Sequence, residues 1–173
     1  MEKLFWVDME MTGLDVEREV IIEVAAIVTD LDMNEIDTYE CVVKQPQKYI
    51  DAMDEWNTKH HTDSGLVAKI PNGKDPETVE NELIAMIDKH FDSETRPVLA
   101  GNSISQDRKF IDRYMKRLSD RLHYRLLDVT GWKVIFENIY KKKFEKKDAH
   151  RALDDIRESI GELKYYMEFI QPS

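Results

Sequence analysis

The sequence predicts an α/β fold in which helices flank a mixed sheet. Three apolar segments near the N-terminus are separated by short turns, which is typical of an antiparallel meander. The second half alternates amphipathic segments with short apolar runs, and this alternation indicates α/β layering. A chain of 173 residues suits one domain and buries roughly 70% of its unfolded surface on folding. We therefore expect residues 1–173 to form a single domain.

Three strands are predicted in the first half of the chain. Each is a run of apolar and β-branched residues that ends at a turn, and the second run, VIIEVAAIVT, is largely apolar on both faces, as a central strand is. The predicted strands are Lys3–Met9, Val20–Thr29 and Ile36–Val43. A helix with a loop is expected at 54–64, and the PNGKDP segment at 71–76 predicts a loop.

The second half is predicted to alternate helices with short strands. Apolar residues at helical spacing predict helices at Glu77–Phe91, Ser103–Leu118, Thr130–Tyr140 and Arg151–Ile170. Short apolar runs predict strands at Val98–Ala100 and Arg125–Asp128. The last helix is expected to bury a stripe made of Ala152, Ile156, Ser159, Ile160, Leu163, Met167 and Ile170.

Composition and charge limit the classes of function. Twenty-five basic and 35 acidic residues give a net charge of −10, which argues against a protein that grips long nucleic acid non-specifically. A short nucleic acid held at a metal site is compatible with this charge, because cations supply the positive charge. The lone cysteine, Cys41, cannot form an intramolecular disulfide. With no apolar run of membrane-spanning length and acids within the N-terminal segment, a cytoplasmic protein without a membrane span is expected.

The first predicted strand carries two acids at an unusual place. Asp8 and Glu10 are two residues apart, so both side chains leave the same face of the strand. Two carboxylates side by side near a core repel each other and lose hydration. Either the pair lies at a strand end in solvent, or a cation lies between the two groups.

Two helices add acids that point the same way. Asp107 precedes Phe110 and Ile111 by three and four residues and so shares their apolar face, whereas Asp112 falls off that face. An ordinary acid in the first turn of a helix is the alternative for Asp107. Asp155 borders the apolar stripe of the last helix. Three separate elements therefore direct carboxylates towards the interior, which predicts one convergent acidic site.

Four carboxylates without a histidine or cysteine cluster favour a hard divalent ion, Mg²⁺ or Mn²⁺. Two such ions can stabilise the attacking and leaving oxygens in phosphodiester hydrolysis. His150 lies five residues before Asp155, which is not one helical face, so it must precede the helix if both serve one site. A histidine there can accept a proton from the attacking water, although a surface role is an equal alternative.

Longer strings carry a resemblance to a known family. Asp8-x-Glu10, Asp107 and His150-x₄-Asp155 match the DEDDh 3′–5′ exonuclease pattern, and WVDMEMTGLD, MDEWNTKHH, GNSISQDRKF, HYRLLDV and AHRALDDIRESI resemble the oligoribonucleases of that family. The agreement runs in order over nearly the whole chain. It implies a ribonuclease-H-like (DnaQ-like) fold and hydrolysis of very short RNA, dinucleotides above all, to 5′-mononucleotides with two divalent ions.

The resemblance also implies a role for individual residues. It makes His150 the general base, and the metal ligands are Asp8, Glu10, Asp107 and Asp155. The implied substrate-binding residues are Leu14, Trp56, His61, Ser103, Tyr124, Arg125 and Thr130. Of these, Ser103, Arg125 and Thr130 are expected to hold the 5′ phosphate, and Tyr124 to complete the site of the neighbouring subunit in a homodimer. The family usually has serine at Thr130, so the added methyl could crowd the phosphate.

Alternatives stay open from the residues alone. Trp56 could be plain core, Tyr124 and Arg125 a simple surface pair, and the basic run Lys141–Lys147 a solvated loop. Among functions, the nearest alternative is a proofreading or tRNA-trimming exonuclease that acts on longer DNA or RNA. A catalytically silent nucleic-acid-binding protein on the same fold is a second alternative, which metal-dependent hydrolysis would exclude.

Overall fold

A five-stranded mixed sheet forms the centre of the computed structural model, which describes residues 2–145 and 151–170. The strands are β1 (Lys3–Met11), β2 (Ile21–Asp30), β3 (Glu35–Val42), β4 (Leu99–Gly101) and β5 (Leu126–Asp128). Their order across the sheet is β3-β2-β1-β4-β5. The first three pair antiparallel, whereas β4 runs parallel to β1 and β5 runs parallel to β4. The predicted meander and mixed sheet are thus confirmed.

Helices cover both faces of this sheet. Within the described residues the α-helices are α1 (Gln47–Asp51), α2 (Glu55–Asp63), α3 (Pro76–His90), α4 (Ser105–Tyr114), α5 (Lys116–Arg121), α6 (Val129–Ile135) and α7 (Ala152–Met167). A 3₁₀ turn at Val67–Asn72 and a π turn at Phe136–Tyr140 complete the described helical segments. None of the described helices combines the length and apolarity that crossing a bilayer requires.

The alternation of side chains along β1 builds two separate cores. Phe5, Val7 and Met9 face the layer formed by α3, α4 and α5. Leu4 and Trp6 face the opposite layer, where α7 contributes buried apolar residues. β1 lies between β2 and β4 in the sheet, and side chains on both of its faces pack against helices. Acids near its end therefore lie between the two helical layers.

The helix predicted at Ser103–Leu118 is wrong in one respect, because it is two helices. The helix is interrupted at Met115, whose φ of −130° and ψ of 63° are not helical. A new helix then begins beneath the buried carboxylate of Glu80 on α3, which accepts hydrogen bonds from the backbone N–H groups of Arg117 (2.8 Å) and Leu118 (3.1 Å). The apolar periodicity continues across the break, so the sequence pattern alone could not reveal it.

The end of the last helix also differs from prediction. Met167 and Ile170 of the expected stripe are 42% and 49% exposed, whereas Tyr166 is fully buried. The Tyr166 ring stacks on Phe136 at 4.8 Å, and its hydroxyl donates to a Glu162 carboxylate oxygen at 3.0 Å. The π turn supplies this aromatic partner. The same π turn ends the regular α-helical part of the predicted Thr130–Tyr140 helix at Ile135. The spacing of apolar residues along α7 could not predict that Tyr166 would be buried against Phe136.

Candidate active site

The acids of β1 meet the first turn of α7. Asp8 and Glu10 continue the row of Leu4 and Trp6 on the face of β1 that packs against α7. Carboxylate oxygens of Asp8, Glu10 and Asp155 all lie within 4.8 Å of one another. The register between β1 and β2 shifts immediately after Glu10, and such irregularities commonly re-aim side chains beside active sites.

Asp107 approaches the same strand from α4. Its Oδ1 accepts a hydrogen bond from the backbone N–H of Met9, which lies between the two β1 acids, at 3.0 Å. This N–H is available because β4 has already ended at Gly101. At Gly101 an added Cβ would lie 2.9 Å from the carbonyl oxygen of Val7, so glycine at this position allows the end of β4 to lie close to β1. The predicted convergence of acids from three elements is observed, and Asp107 is 6% exposed.

Burial, with a smaller contribution from neighbouring carboxylates, raises the pKa values of the acids at this site. Burial, followed by the charges of Asp107 and Glu10, raises the pKa of Asp8 well above its usual range. Burial and then the charge of Asp155 raise the pKa of Glu10 to about 7. Burial also raises the pKa of Asp107 to about 7. A divalent cation would remove this mutual repulsion, and a set of carboxylate oxygens is the donor set that Mg²⁺ or Mn²⁺ prefers.

A pair of histidines lies beside Glu10, contrary to the expectation of a site without a histidine cluster. His61 is buried, and its Nε2 lies 2.9 Å from the carbonyl oxygen of Met11. Its Nδ1 lies 3.9 Å from Oε2 of Glu10. Burial lowers the pKa of His61. His60, which the resemblance does not assign, comes within the same group, because α2 presents both rings to the end of β1.

A cleft of about 210 Å³ opens from the acids to the surface. Predicted residues among those lining it are Asp8, Glu10, Leu14, Trp56, Ser103 and Asp107. Trp56 is 68% exposed and Leu14 is 75% exposed, so the core alternative for Trp56 is wrong. The side chain of Gln106 donates to the carbonyl oxygen of Leu14 at 2.7 Å, which fastens the loop that carries this apolar side chain.

Two of the three predicted phosphate-binding residues lie together. Ser103 has a positive φ of 49°, and its backbone N–H donates to Thr130 Oγ1 (2.9 Å) and to a carboxylate oxygen of Asp128 (3.0 Å). The two hydroxyl oxygens are 3.2 Å apart. Arg125 instead lies against exposed Tyr124, to whose hydroxyl its Nε donates at 3.1 Å. The left-handed backbone conformation of Ser103 is strained for a residue with a side chain, and such strain is typical of functional sites.

His150 lies outside the described residues, but its neighbour in the chain is well anchored. The guanidinium of Arg151 donates to a carboxylate oxygen of Glu23 through Nη2 (2.6 Å) and Nε (3.1 Å). Glu23 is fully buried and lies opposite Glu10 in the register of β1 and β2. Glu23 is not among the predicted site residues, although a single charged residue within the apolar VIIEVAAIVT run is a sequence signal for it.

Comparison with known proteins decides the family. The family model described as Exonuclease matches residues 5–163. An oligoribonuclease of Francisella tularensis is 45% identical over 96% of this chain and 95% of its own length. An oligoribonuclease of Photorhabdus laumondii is 44% identical over 97% of this chain and 96% of its own. This chain belongs to the oligoribonuclease family.

Membership of the oligoribonuclease family makes the chain a metal-dependent nuclease of the hydrolase class, which confirms the resemblance drawn from its sequence strings. Solved structures confirm the fold. Exonuclease I from Methylocaldum szegediense aligns with a TM-score of 0.77 at 17% identity, over 98% of this chain and 41% of that one. E. coli Exonuclease I in complex with a dA16 oligonucleotide aligns with a TM-score of 0.73 at 12% identity, over 97% and 41%.

Proposed function

We propose that this chain is a 3′–5′ exoribonuclease that hydrolyses short oligoribonucleotides, dinucleotides above all, to 5′-mononucleotides. The observation that carries the proposal is that carboxylates of Asp8, Glu10 and Asp155 lie in one group. The Asp107 carboxylate joins them by accepting a hydrogen bond from the backbone N–H of Met9, between Asp8 and Glu10. The naming of close relatives as oligoribonucleases supports the substrate class.

Asp8, Glu10, Asp107 and Asp155 are proposed to hold two divalent ions, Mg²⁺ or Mn²⁺. The raised pKa values of Glu10 and Asp107 support this, because protonated carboxyls near neutral pH are what an acidic cation site becomes without its cations. When bound, such ions stabilise the developing charge on the attacking and leaving oxygens of a phosphodiester. The protein's contribution is to hold these carboxylates rigidly, from three elements anchored in two cores.

His150 is proposed to act as the general base that takes a proton from the attacking water. Its place five residues before Asp155 supports this role, and so does the anchoring of the adjacent Arg151 to Glu23, which lies opposite Glu10. An imidazole with a pKa near neutrality is suited to accept that proton.

The cleft is proposed to bind two bases and one terminal phosphate. Leu14 and Trp56 offer exposed apolar surface for the bases, and stacking is worth about 1–3 kcal/mol per base. His61 is proposed to line the same pocket. Ser103 and Thr130, with Arg125, are proposed to hold the 5′ phosphate and so to close the far end of the site. A closed end favours short substrates, which reconciles RNA cleavage with a net charge of −10.

A homodimer is proposed in which Tyr124 completes the neighbouring site. Tyr124 is 77% exposed, and Leu126, two residues on, lines an apolar groove of about 530 Å³ beside the edge strand β5. Exposed apolar side chains continue from this groove over α6, the π turn and the end of α7: Val134, Ile135, Ile139, Tyr140, Met167, Phe169 and Ile170. We refer to these seven residues as the apolar face. A patch of this kind commonly marks a protein interface.

Two further expectations remain proposals. We propose that residues 1–173 form one exonuclease domain, which the family match over 5–163 and the single described sheet support. We also propose that the enzyme acts in the cytoplasm, and the lone, buried cysteine Cys41 accords with a reducing compartment.

The decisive experiment compares a 5′-phosphorylated diribonucleotide with a 20-residue RNA and its DNA counterpart, each with Mg²⁺, with Mn²⁺ and with EDTA. Rapid metal-dependent loss of the dinucleotide is expected, with slow attack on the long strands. Asp107→Asn should lower the rate by about 100-fold or more, since even outer partners of metal ligands are worth roughly 10–100-fold. Preference for the long strands would contradict the short-substrate proposal and favour the trimming or proofreading alternative.

Arg125→Ala tests the closed end of the site in the same assay. Charge-assisted hydrogen bonds to phosphate are worth about 1.5–3 kcal/mol, so cleavage of the dinucleotide should fall about 10–100-fold. Cleavage of longer RNA, which gains less from a terminal phosphate, should fall far less. Arg113→Ala, which removes an exposed arginine paired only with Glu17 among the ion pairs described, is the matched control. Equal losses at both lengths would rule out the phosphate cap.

A further inference from the structure

The histidine pair beside Glu10 has an unusual arrangement. His61 is 2% exposed, and its Nε2 lies 2.9 Å from the carbonyl oxygen of Met11, which can only accept a hydrogen bond. Nε2 therefore carries the proton, and Nδ1 presents its lone pair. That Nδ1 has no hydrogen-bond partner among the residues that the structure describes.

The unpartnered nitrogen faces a second electron-pair donor. Oε2 of Glu10 lies 3.9 Å from Nδ1 of His61, too far for a hydrogen bond and close enough for one cation to contact both. A buried polar atom without a partner is costly, so the arrangement requires an explanation. Histidines that ligate metals almost always donate their other ring N–H to a carbonyl or carboxylate, as His61 does to Met11.

His60 supplies a third donor at the same place. One ligand atom from each of Glu10, His60 and His61 lies within 4.8 Å of the other two. The His60 ring stacks on Trp56 at 4.9 Å and meets the His61 ring edge-on at 5.2 Å, so its orientation is held by two aromatic contacts. Ligand atoms around a tetrahedral zinc ion lie roughly 3.4 Å apart. To bind one zinc ion, the Glu10 oxygen and the His61 nitrogen, now 3.9 Å apart, would have to move closer by about 0.5 Å.

We propose that Glu10, His60 and His61 form a second metal site, selective for a borderline transition ion of the Zn²⁺ class. Two imidazoles and one carboxylate suit Zn²⁺ or Co²⁺, whereas Mg²⁺ prefers oxygen ligands alone. Glu10 belongs to both this site and the carboxylate cluster around Asp8 and Asp155. An ion at the histidines therefore competes for Glu10 and inhibits hydrolysis. Only this consequence rests on the proposed function; the binding does not.

Calorimetric titration with Zn²⁺ in the presence of millimolar Mg²⁺ tests the site directly. Wild-type protein should bind one equivalent of Zn²⁺ that Mg²⁺ does not displace. His60→Phe keeps a flat ring for stacking on Trp56 and removes the donor nitrogen, and should weaken Zn²⁺ binding by about tenfold or more. His90→Gln, which removes a histidine that interacts with Asp37 on β3, should leave Zn²⁺ affinity unchanged.

Asp155→Asn separates this site from the carboxylate cluster. It weakens the cluster but keeps all three donors of the proposed site, so Zn²⁺ binding in Mg²⁺ should persist. Visible d–d absorption of bound Co²⁺ gives a second readout, and the position and intensity of the bands should change in His60→Phe, which removes one of the two nitrogen ligands. Inhibition of dinucleotide cleavage by Zn²⁺ should weaken in His60→Phe by the same factor as binding.

Unchanged Zn²⁺ affinity in His60→Phe, or complete displacement of Zn²⁺ by Mg²⁺, would overturn the inference and place zinc in the carboxylate cluster alone. These outcomes are distinct from failure of the proposed function. A protein that binds Zn²⁺ as described but cleaves no dinucleotide would retain the site and lose the activity. If the wild-type protein cleaves dinucleotides but His60→Phe binds Zn²⁺ as tightly as the wild type does, the proposed function stands and the histidine site does not.

Discussion

Individual carboxyl groups in this protein behave in opposite ways according to their neighbours. Lys89 and His90 hydrogen-bond to Asp37 on the surface of β3 and lower its pKa to about 2. Glu10 and Asp107 lie instead among other acids out of water, and their pKa values are raised to about 7. The same chemical group is therefore stabilised as an anion at one place and as a neutral acid at the other.

This contrast predicts how stability depends on pH in the absence of metal. Between pH 6.5 and 8.5 the folded protein loses protons from Glu10 and Asp107, whereas the unfolded chain has already lost them, so stability falls as pH rises. The expected loss is about 1–2 kcal/mol, measured by urea unfolding in EDTA. In this window the lowered pKa of His61 adds only a small change of the opposite sign. The Asp37 contribution is constant there, because its carboxyl is ionised in both the folded and the unfolded state above about pH 5.

Saturating Mn²⁺ is the control for the pH experiment, because it keeps the carboxylates ionised in the folded state. The pH dependence in this window should then disappear or reverse, since cation binding competes with protons. Stability that rises from pH 6.5 to 8.5 in EDTA would contradict the raised pKa values.

At the scale of elements, one side chain connects the strand that ends at the site with two helices. The Asn102 amide, just after β4, donates to Ser159 Oγ (2.8 Å) and to buried Glu162 (3.1 Å) on α7. Its oxygen accepts from Thr130 Oγ1 of α6 at 3.4 Å. The Ser159 hydroxyl in turn donates to the backbone carbonyl of Asp155 at 2.9 Å. The proposed phosphate cap is thus linked to the turn of α7 that carries an acid of the site.

Asn102→Ala should cut this link. We expect a loss of about 2–3 kcal/mol in the free energy of unfolding, because buried polar atoms on α7 lose partners. Dinucleotide cleavage should fall with both kcat and KM affected, because Thr130 and the α7 turn shift together. Asn138→Ala removes an exposed amide that bonds only locally to Val134 among the contacts described, and should change neither quantity. Unaltered stability and kinetics in Asn102→Ala would show that the helices position the site unaided.

At the scale of the whole molecule, the exposed apolar side chains are concentrated in the C-terminal part of the fold. The chain carries a net charge of −10, yet its C-terminal helices expose the seven residues of the apolar face beside a strand edge. The edge of β5 and the apolar face both lie open to water in the monomer, and burying them in a dimer would be favourable. Association on this face would bring Tyr124 of each copy towards the other copy.

Ile139→Asp tests the proposed dimer, because Ile139, at 70%, is the most exposed of the seven residues of the apolar face. Burying the new carboxylate is costly, so sedimentation equilibrium should report a monomer. Dinucleotide cleavage should fall to the level of Tyr124→Ala, since both lose the same contribution to the neighbouring site. Leu31→Asp alters an exposed leucine in the turn between β2 and β3, and should leave mass and activity unchanged. A monomeric wild-type protein with full activity would exclude the dimer.

The sequence by itself determined the parts of this protein that depend on local pattern. Strand and helix periods predicted the meander, the layering and the inward direction of Asp107, because each rests on spacing along one element. The family strings predicted that Trp56 belongs to a binding cleft, where composition alone favoured the core.

The tertiary structure decided whatever depends on residues far apart in the chain. The break at Met115 follows from Glu80, and the pairing of His61 with Glu10 follows from the docking of α2 beside the end of β1. The burial of Tyr166 follows from the aromatic ring of Phe136. Such contacts leave no period in the sequence, because their energy comes from a partner tens of residues away that only the folded chain brings within hydrogen-bonding or packing distance.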